Sequence, residues 1–325
     1  MKNITSDVTY IIVTWKNEKE ISECLKSIEE YSPQNHEVII VDNNSNDRTT
    51  QIIREDFPKA KLIESSVNLG FAAANNMALQ YVTTPYICYL NPDVILTEDI
   101  ITPSIQVLKE KDQIGLVACR LKNKDGSNQD SFFNYTNRWI TPCAILHIGA
   151  IMPQSLRKKY FLSKYNAKAD FEPEWVIGAE MILRTEEAKK IGGFSEEYFM
   201  YTEDMDLCKK VNTILGKKIY YLANVSLVHL GGASEAQNTN YNKQKKIFEN
   251  EWMFVKKFYG MDEANRTIRS MKRAHMIRKT MLNIGYWKKD RQYQIKRTNA
   301  VIEMLDATER KVSIRYGGGF VEKNF

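Results

Sequence analysis

Apolar positions along the chain change period several times, and each change marks an element. Tyr10-Ile-Ile-Val-Thr14 is a short β-branched run, which predicts a strand buried in a sheet. Ile21, Leu25 and Ile28 then recur at helical spacing. Val38-Ile-Ile-Val-Asp42 repeats the strand pattern, Ile52, Ile53 and Phe57 share a helix face, and Lys61 to Glu64 reads as a third strand. A helix near Phe71 to Tyr81 and a strand over Tyr86 to Leu90 follow. Strand and helix alternating at this spacing predict right-handed crossovers and a mainly parallel sheet flanked by helices, an α/β fold. Such sheets bind ligands beyond the carboxyl ends of their strands. Thr14, Asp42-Asn43-Asn44-Ser45 and Asn91-Pro92-Asp93 stand at those ends.

Past Asp93 the alternation weakens. Ile101, Ile105 and Leu108 continue a helical spacing, and Ile114 to Cys119 reads as a strand. Lys122 to Asn137 is polar and reads as a surface loop, Trp175 to Leu183 as a strand, and Gly192-Gly193 as a turn. A helix over about Glu203 to Leu215 precedes a strand near Lys218 to Leu222, and beyond Gly231-Gly232 the chain is helical and basic.

Length and composition narrow the classes. With 325 residues, 43% of them apolar, the chain has a sizeable core, and no run approaches the ~18 apolar residues of a membrane span. The N-terminus carries no secretory pattern, and the five cysteines are odd in number, far apart and without a CxxC pair. Reduced thiols and a cytoplasmic location are expected, and a disulfide scaffold or structural zinc site is not. Residues 243 to 300 hold 16 Lys and Arg against 5 Asp and Glu, a balance of +11 that leaves −5 for the rest. A weakly acidic body with a basic C-terminal region suggests two jobs in one chain.

The chemistry sits in four motifs. No GxGxxG follows the first strand and no GxxxxGK[ST] occurs, which disfavours Rossmann and P-loop phosphate binding. Asp42 instead offers an acceptor suited to the N3–H of uracil or thymine, although Asp42 to Asp47 also reads as a turn with a helix cap. Asn91-Pro-Asp93 supplies a hard oxygen ligand for Mg²⁺ or Mn²⁺, and is also an ordinary turn. Glu203, Asp204 and Asp206 open a helix behind the aromatic run Tyr198-Phe-Met-Tyr201. One of them suits a general base, while carboxylates in a first turn are also favoured by the helix dipole. His229 ends a strand before a glycine pair, where a structural histidine is the commoner reading.

Taken in order, these motifs resemble the family 2 glycosyltransferases of the GT-A fold, especially bacterial cell-wall and capsule rhamnosyltransferases. The carriers are Ile11-Ile-Val-Thr-Trp-Lys-Asn17, Val41-Asp-Asn-Asn-Ser45, Asn68-Leu-Gly-Phe-Ala72, Leu90-Asn-Pro-Asp93, Trp175-Val-Ile-Gly-Ala179, Glu203-Asp-Met-Asp206 and His229, spanning two-thirds of the chain. The resemblance implies a nucleotide-sugar-binding half over residues 1–95, a catalytic and acceptor-binding half over 96–235, and a basic helical extension over 236–325. It implies an inverting transfer, L-rhamnose from dTDP-L-rhamnose first and a UDP-hexose second, onto a polyprenyl-diphosphate-linked saccharide or a growing cell-surface polysaccharide.

Thr14, Asp42, Asn43, Ser45, Asn68, Gly70, Asn91 and Asp93 would bind the nucleotide sugar, and Trp175, Gly178 and Ala179 the acceptor side. Asp93 and His229 would hold a divalent cation, Mn²⁺ or Mg²⁺, and Asp204 would act as base with Glu203 its rival. Asn91 stands where the fold commonly has a second aspartate, which leaves strict metal dependence open.

Phe248, Trp252, Val255 and Tyr259 follow helical spacing among lysines in the basic region. Such helices lie on anionic membranes, so a peripheral site at the inner face of the cell membrane is expected, with Trp252, Phe254, Phe258, Tyr259 and Trp287 as apolar contacts. Packing on the core or in a homodimer is the alternative. A nucleic-acid-binding protein accounts for the basic region but not the ordered motifs. A sugar nucleotidyltransferase needs a glycine- and lysine-rich loop that does not follow Thr14.

Overall fold

The computed structural model describes residues 7–33, 35–162, 165–231, 240–285 and 290–316. The chain begins β1 (Val8–Thr14), α1 (Ile21–Tyr31), β2 (His36–Asp42), α2 (Thr49–Asp56), β3 (Lys61–Glu64), α3 (Phe71–Leu79) and β4 (Tyr86–Leu90). It continues β5 (Val94–Leu96), α4 (Ile101–Glu110), β6 (Ile114–Lys122), β7 (Phe132–Phe133), α5 (Ile140–Ile145) and α6 (Gln154–Tyr160). Then come β8 (Trp175–Val176), β9 (Glu180–Arg184), α7 (Thr185–Lys190), α8 (Glu203–Ile214), β10 (Lys218–His229), α9 (Asn240–Tyr259), α10 (Met261–Asn283) and α11 (Arg291–Tyr316). These form two compact units, Met1–Asn134 with Asn166–Gln237 and Tyr135–Tyr165 with Asn238–Phe325.

The first unit is built on an eight-stranded sheet in the order β3-β2-β1-β4-β9-β6-β10-β5. β3, β2, β1 and β4 run parallel, as the alternation of patterns predicts. Every residue of β1 is buried, and α1 covers the sheet with Ile21, Cys24, Leu25 and Ile28, one apolar stripe at helical spacing. All five cysteines are free thiols.

Three elements differ from the sequence expectation. The strand expected over Trp175 to Leu183 is interrupted at residues 177–179. β8 pairs with β7, while β9 enters the main sheet antiparallel between β4 and β6. β7 itself lies inside the stretch expected to be a loop. β10 runs on to His229 through a register shift between Leu222 and Ser226, and there pairs antiparallel with β5. That pairing sets His229 opposite Val94, beside the Asn91–Asp93 turn.

In the second unit α5 and α6 group with the C-terminal helices, and α5 packs on α10. The aromatic stripe of α9 is core. Phe248, Trp252, Phe254 and Val255 are buried, Tyr135 stacks on Phe254 at 5.6 Å, and the Trp252 indole donates to Asn265 Oδ1 at 3.0 Å. The expectation that Trp252 and Phe254 face a membrane is therefore corrected. Their apolar surface is spent on folding this unit, as the packing alternative predicted. Phe258 leans on Phe254, Tyr259 is half-exposed, and Trp287 lies outside the described residues. Basic side chains here also form ion pairs, Lys272–Asp306, Arg269–Glu309 and Lys311–Glu249. Among the described residues no helix is long and apolar enough to cross a membrane.

One glycine fixes how α3 meets the rest of the first unit. Gly70 has φ of +83°, and a Cβ there would lie 2.5 Å from the Phe199 carbonyl oxygen. Gly70→Ala should cost about 2 kcal/mol or more in stability, from backbone strain plus the displaced Phe199. Gly126, with φ of +81° and open space around it, is the control. Gly126→Ala should lower the denaturation midpoint less, and equal losses would show that the Phe199 contact is unimportant.

Candidate active site

The site is built at the carboxyl ends of β1, β2 and β4. Thr14 and Asp42 are partners in the parallel register, and the Thr14 hydroxyl donates to Asp42 Oδ1 at 3.0 Å. Ser45 N–H donates to Asp42 Oδ2 at 2.8 Å, and Lys16 N–H to Ser45 Oγ at 2.8 Å. The carboxylate is thereby held from both sides, with second lone pairs left on each oxygen. Thr14 is fully buried and Asn43 nearly so. Asn43 spends its amide on the Gly70 carbonyl and the Leu69 N–H, and Asn68 caps Gly70 N–H. Thr14 and Asn43 thus also position Asp42 and the 68–70 turn, where Gly70 meets Phe199.

The Asn91–Asp93 turn forms a second cluster. Asp93 Oδ1 lies 3.4 Å from His229 Nε2, and His229 Nδ1 lies 2.8 Å from Gln129 Oε1. An amide oxygen can only accept, so it fixes the proton on Nδ1 and turns the Nε2 lone pair toward Asp93. Two acceptors facing each other at 3.4 Å suit a cation between them. Asn91 Oδ1, buried without a hydrogen-bond partner among the described residues, adds a third donor from the same turn. Hard oxygens with one imidazole fit Mn²⁺ or Mg²⁺, with the remaining positions left to substrate oxygens and water. No group of three His, Cys, Asp or Glu side chains that could hold a metal occurs among the described residues, so this pair would rely on the amide and the substrate.

The third cluster opens α8. Tyr201 and Thr202 both have positive φ, an uncommon conformation for such residues, and they swing the helix start toward the sheet. Asp204 Oδ1 accepts from Met205 N–H at 2.7 Å and Oδ2 from Gly178 N–H at 3.0 Å. Asp204 is pushed up to about 6 by burial, against the lowering effect of those two N–H donors. Glu203 is more deeply buried, its Oε2 lacks a partner among the described residues, and burial and the neighbouring Asp204 charge raise it further. A carboxylate poised near neutrality beside a neighbour raised by burial is an arrangement suited to a general base. Asp206 faces inward and holds Ser195 and Tyr198, which braces the 193–202 loop.

Gly178 and Ala179 stand differently from the acceptor role expected of them. Gly178 backs Asp204, where a Cβ would approach the Asp204 Cβ to 3.3 Å. Ala179 is buried, and its carbonyl accepts from Asn91 N–H at 2.9 Å. Its side chain is in the core, so any part it takes on the acceptor side would fall to its backbone. Trp175 stacks on Phe133 and donates to the Asn134 carbonyl at 2.9 Å, leaving the ring partly exposed. Gln129 was not legible as functional: it lies in a polar stretch, and only the β10 extension brings His229 to it.

If Gln129 sets the His229 tautomer, Gln129→Leu should weaken Mn²⁺ binding in the presence of a nucleoside diphosphate by roughly 10–100-fold. His229→Ala should weaken it at least as much, read by electron paramagnetic resonance of free Mn²⁺. Loss in His229→Ala with none in Gln129→Leu would remove the orienting role.

Comparison with known proteins bears on the fold and the family. Residues 9–161 match the family model described as Glycosyl transferase family 2. The rhamnosyltransferase WbbL of Escherichia coli K12 is 25% identical over 229 residues, covering 68% of this chain and 83% of that one. The N-acetylglucosaminyl-diphospho-decaprenol L-rhamnosyltransferase of Mycobacterium tuberculosis is 22% identical over 242 residues, covering 70% and 76%. Among solved structures, the mannosyltransferase PcManGT of Pyrobaculum calidifontis, in complex with GDP-Man and Mn²⁺, aligns over 98% of this chain and 89% of its own. That alignment has a TM-score of 0.56 at 15% identity, a likeness of fold. The strand-end carboxylates thus stand on a GT-A-type fold, and residues 9–161 are similar to the family 2 glycosyltransferases.

Proposed function

We propose that this chain is an inverting glycosyltransferase that takes L-rhamnose from dTDP-L-rhamnose and delivers it to a lipid-linked saccharide in cell-surface polysaccharide synthesis. The observation that carries the transferase reading is the convergence of Asp93, His229 and Asp204 around one strand end, through the hydrogen bonds of Gly178 and Ala179. Two rhamnosyltransferase relatives, each aligned over about two-thirds of the chain, support the rhamnosyl group, and the mycobacterial one, named for a diphospho-decaprenol saccharide, supports the lipid-linked acceptor.

Asp42, held by Thr14 and Ser45, would accept from the pyrimidine or ribose of the donor. Asp93, His229 and Asn91 would hold a divalent cation, which when bound offsets the charge that develops on the departing diphosphate. The acceptor hydroxyl oxygen attacks the anomeric carbon as its proton passes to Asp204. The bond from that carbon to the diphosphate oxygen breaks, and its electron pair leaves with the nucleoside diphosphate. Gly178 and Met205 N–H groups keep Asp204 aimed, while burial raises Glu203 and disfavours a second charge beside it.

Incubation with a panel of nucleotide sugars should release nucleoside diphosphate from dTDP-L-rhamnose. Turnover from UDP-sugars alone would replace the donor and keep the transferase. Release from none, with lipid-linked acceptor present, would remove the reading. Because Asp204 must be ionised to accept a proton and is raised to about 6, kcat/KM should rise with pH through about 6 and level off above it. A profile flat from about pH 5 to pH 8 would exclude a base of this kind.

A further inference from the structure

The second unit has an exposed surface that the transfer chemistry does not use. Between Asp130 and Asp170 the sequence contains six Lys and Arg and not one acidic residue. That run includes α5, a 3-10 turn over Ile148–Ile151, and α6. The same segment displays large apolar side chains to solvent: Trp139 is 70% exposed and Ile151 80%. Leu156 and Tyr160, one helical turn apart on α6, are also exposed, and Lys158 and Lys159 stand between them.

The display is built rather than loose. The Arg157 guanidinium donates to the Met152 and Ala150 carbonyls at 2.7 and 2.6 Å, stapling α6 to the turn that carries Ile151. Gly149 packs so closely on Phe161 that a Cβ would meet its ring at 2.8 Å. At the other end, Arg138 reaches Glu263 of α10 and lies 4.8 Å from the Trp139 ring centroid, and α5 packs on α10. A rigid frame thus holds apolar tips and basic heads outward, at a cost in exposed apolar surface that folding alone would not select.

We propose that residues 139–160 dock this chain on an anionic lipid surface. Trp and Tyr rings beside lysines suit the boundary between headgroups and acyl chains, and an acid-free basic segment complements a negative leaflet. An acidic protein partner would satisfy the charge but gives no reason for four apolar tips spread along a strap. The membrane site expected at α9 is thereby moved, because Phe248, Trp252 and Phe254 of α9 are buried in the fold. The proposal rests on the lipid-linked acceptor for its purpose and not for its test, whose binding readout contains no substrate.

The test is co-sedimentation of the full chain with vesicles of phosphatidylcholine and phosphatidylglycerol, against phosphatidylcholine alone, at low and high salt. Wild type should partition into the anionic vesicles and lose binding as salt rises. Trp139→Ser with Ile151→Ser, and separately Lys158→Glu with Lys159→Glu, should each lower the partition coefficient about tenfold or more. Ile284→Ser with Tyr293→Ser, at exposed positions outside the strap, should keep it. Thermal melting and release of nucleoside diphosphate onto a water-soluble acceptor should be unchanged in all three, so failure of the docking surface is separable from failure of the transferase reading. The proposal is overturned if wild type ignores anionic vesicles, if both strap variants bind as wild type does, or if only the control loses binding.

Discussion

Two consecutive residues, Gly178 and Ala179, hold the site together. Gly178 N–H fixes Asp204 at 3.0 Å, and the next residue's carbonyl takes Asn91 N–H at 2.9 Å. The Asn91–Asp93 turn and Asp204 are therefore hung from one short piece of backbone just before β9. That piece is itself immobilised, because β9 pairs with β4 on one side and β6 on the other. Glu180, the first residue of β9, is wholly buried, accepts from Cys119 N–H at 2.8 Å and is pushed up to about 8 by burial. It is thus neutral near pH 7 and places no competing charge beneath the turn.

The helix that carries the base is held from its other side by the loop before it. Tyr201 and Thr202 hold left-handed backbone, which persists only where neighbours over-determine it. Those neighbours are named: Asp206 grips Ser195 and Tyr198, Lys210 caps the Gly193 carbonyl, and Asn76 on α3 bonds both the N–H and the carbonyl of Phe194. Phe71 N–H also donates to the Phe199 carbonyl at 3.0 Å. α3 and α8 are thus braced by one loop, whose aromatic residues precede the acidic motif.

Much of this was legible because it is local. Apolar runs ending in Thr14, Asp42 and Leu90 announced parallel strands with polar ends, and three carboxylates at a helix start announced chemistry. What stayed hidden is long-range. Nothing near His229 reveals that β10 continues through an irregularity and pairs antiparallel with β5, yet that pairing alone brings it to Asp93 and Gln129. Nor does helical spacing tell an interfacial stripe from a core one: Phe248, Trp252 and Val255 fit both, and burial decided for the core. Thr14 and Asn43 stand at strand ends, and only the folded chain shows that they also bond neighbouring residues across the site.

The central claim is that one strand end serves two separable tasks, holding the diphosphate through Asp93 and accepting a proton through Asp204. The most direct measurement compares Asp93→Ala with Asp204→Asn, reading calorimetric affinity for the donor with Mn²⁺ alongside turnover. The account predicts that Asp93→Ala loses metal-assisted donor affinity. It predicts that Asp204→Asn binds donor nearly as wild type does while turnover falls by about 10²–10⁴-fold. Equal loss of donor affinity in both variants, or near-normal turnover in Asp204→Asn with Glu203→Gln inactive, would contradict it.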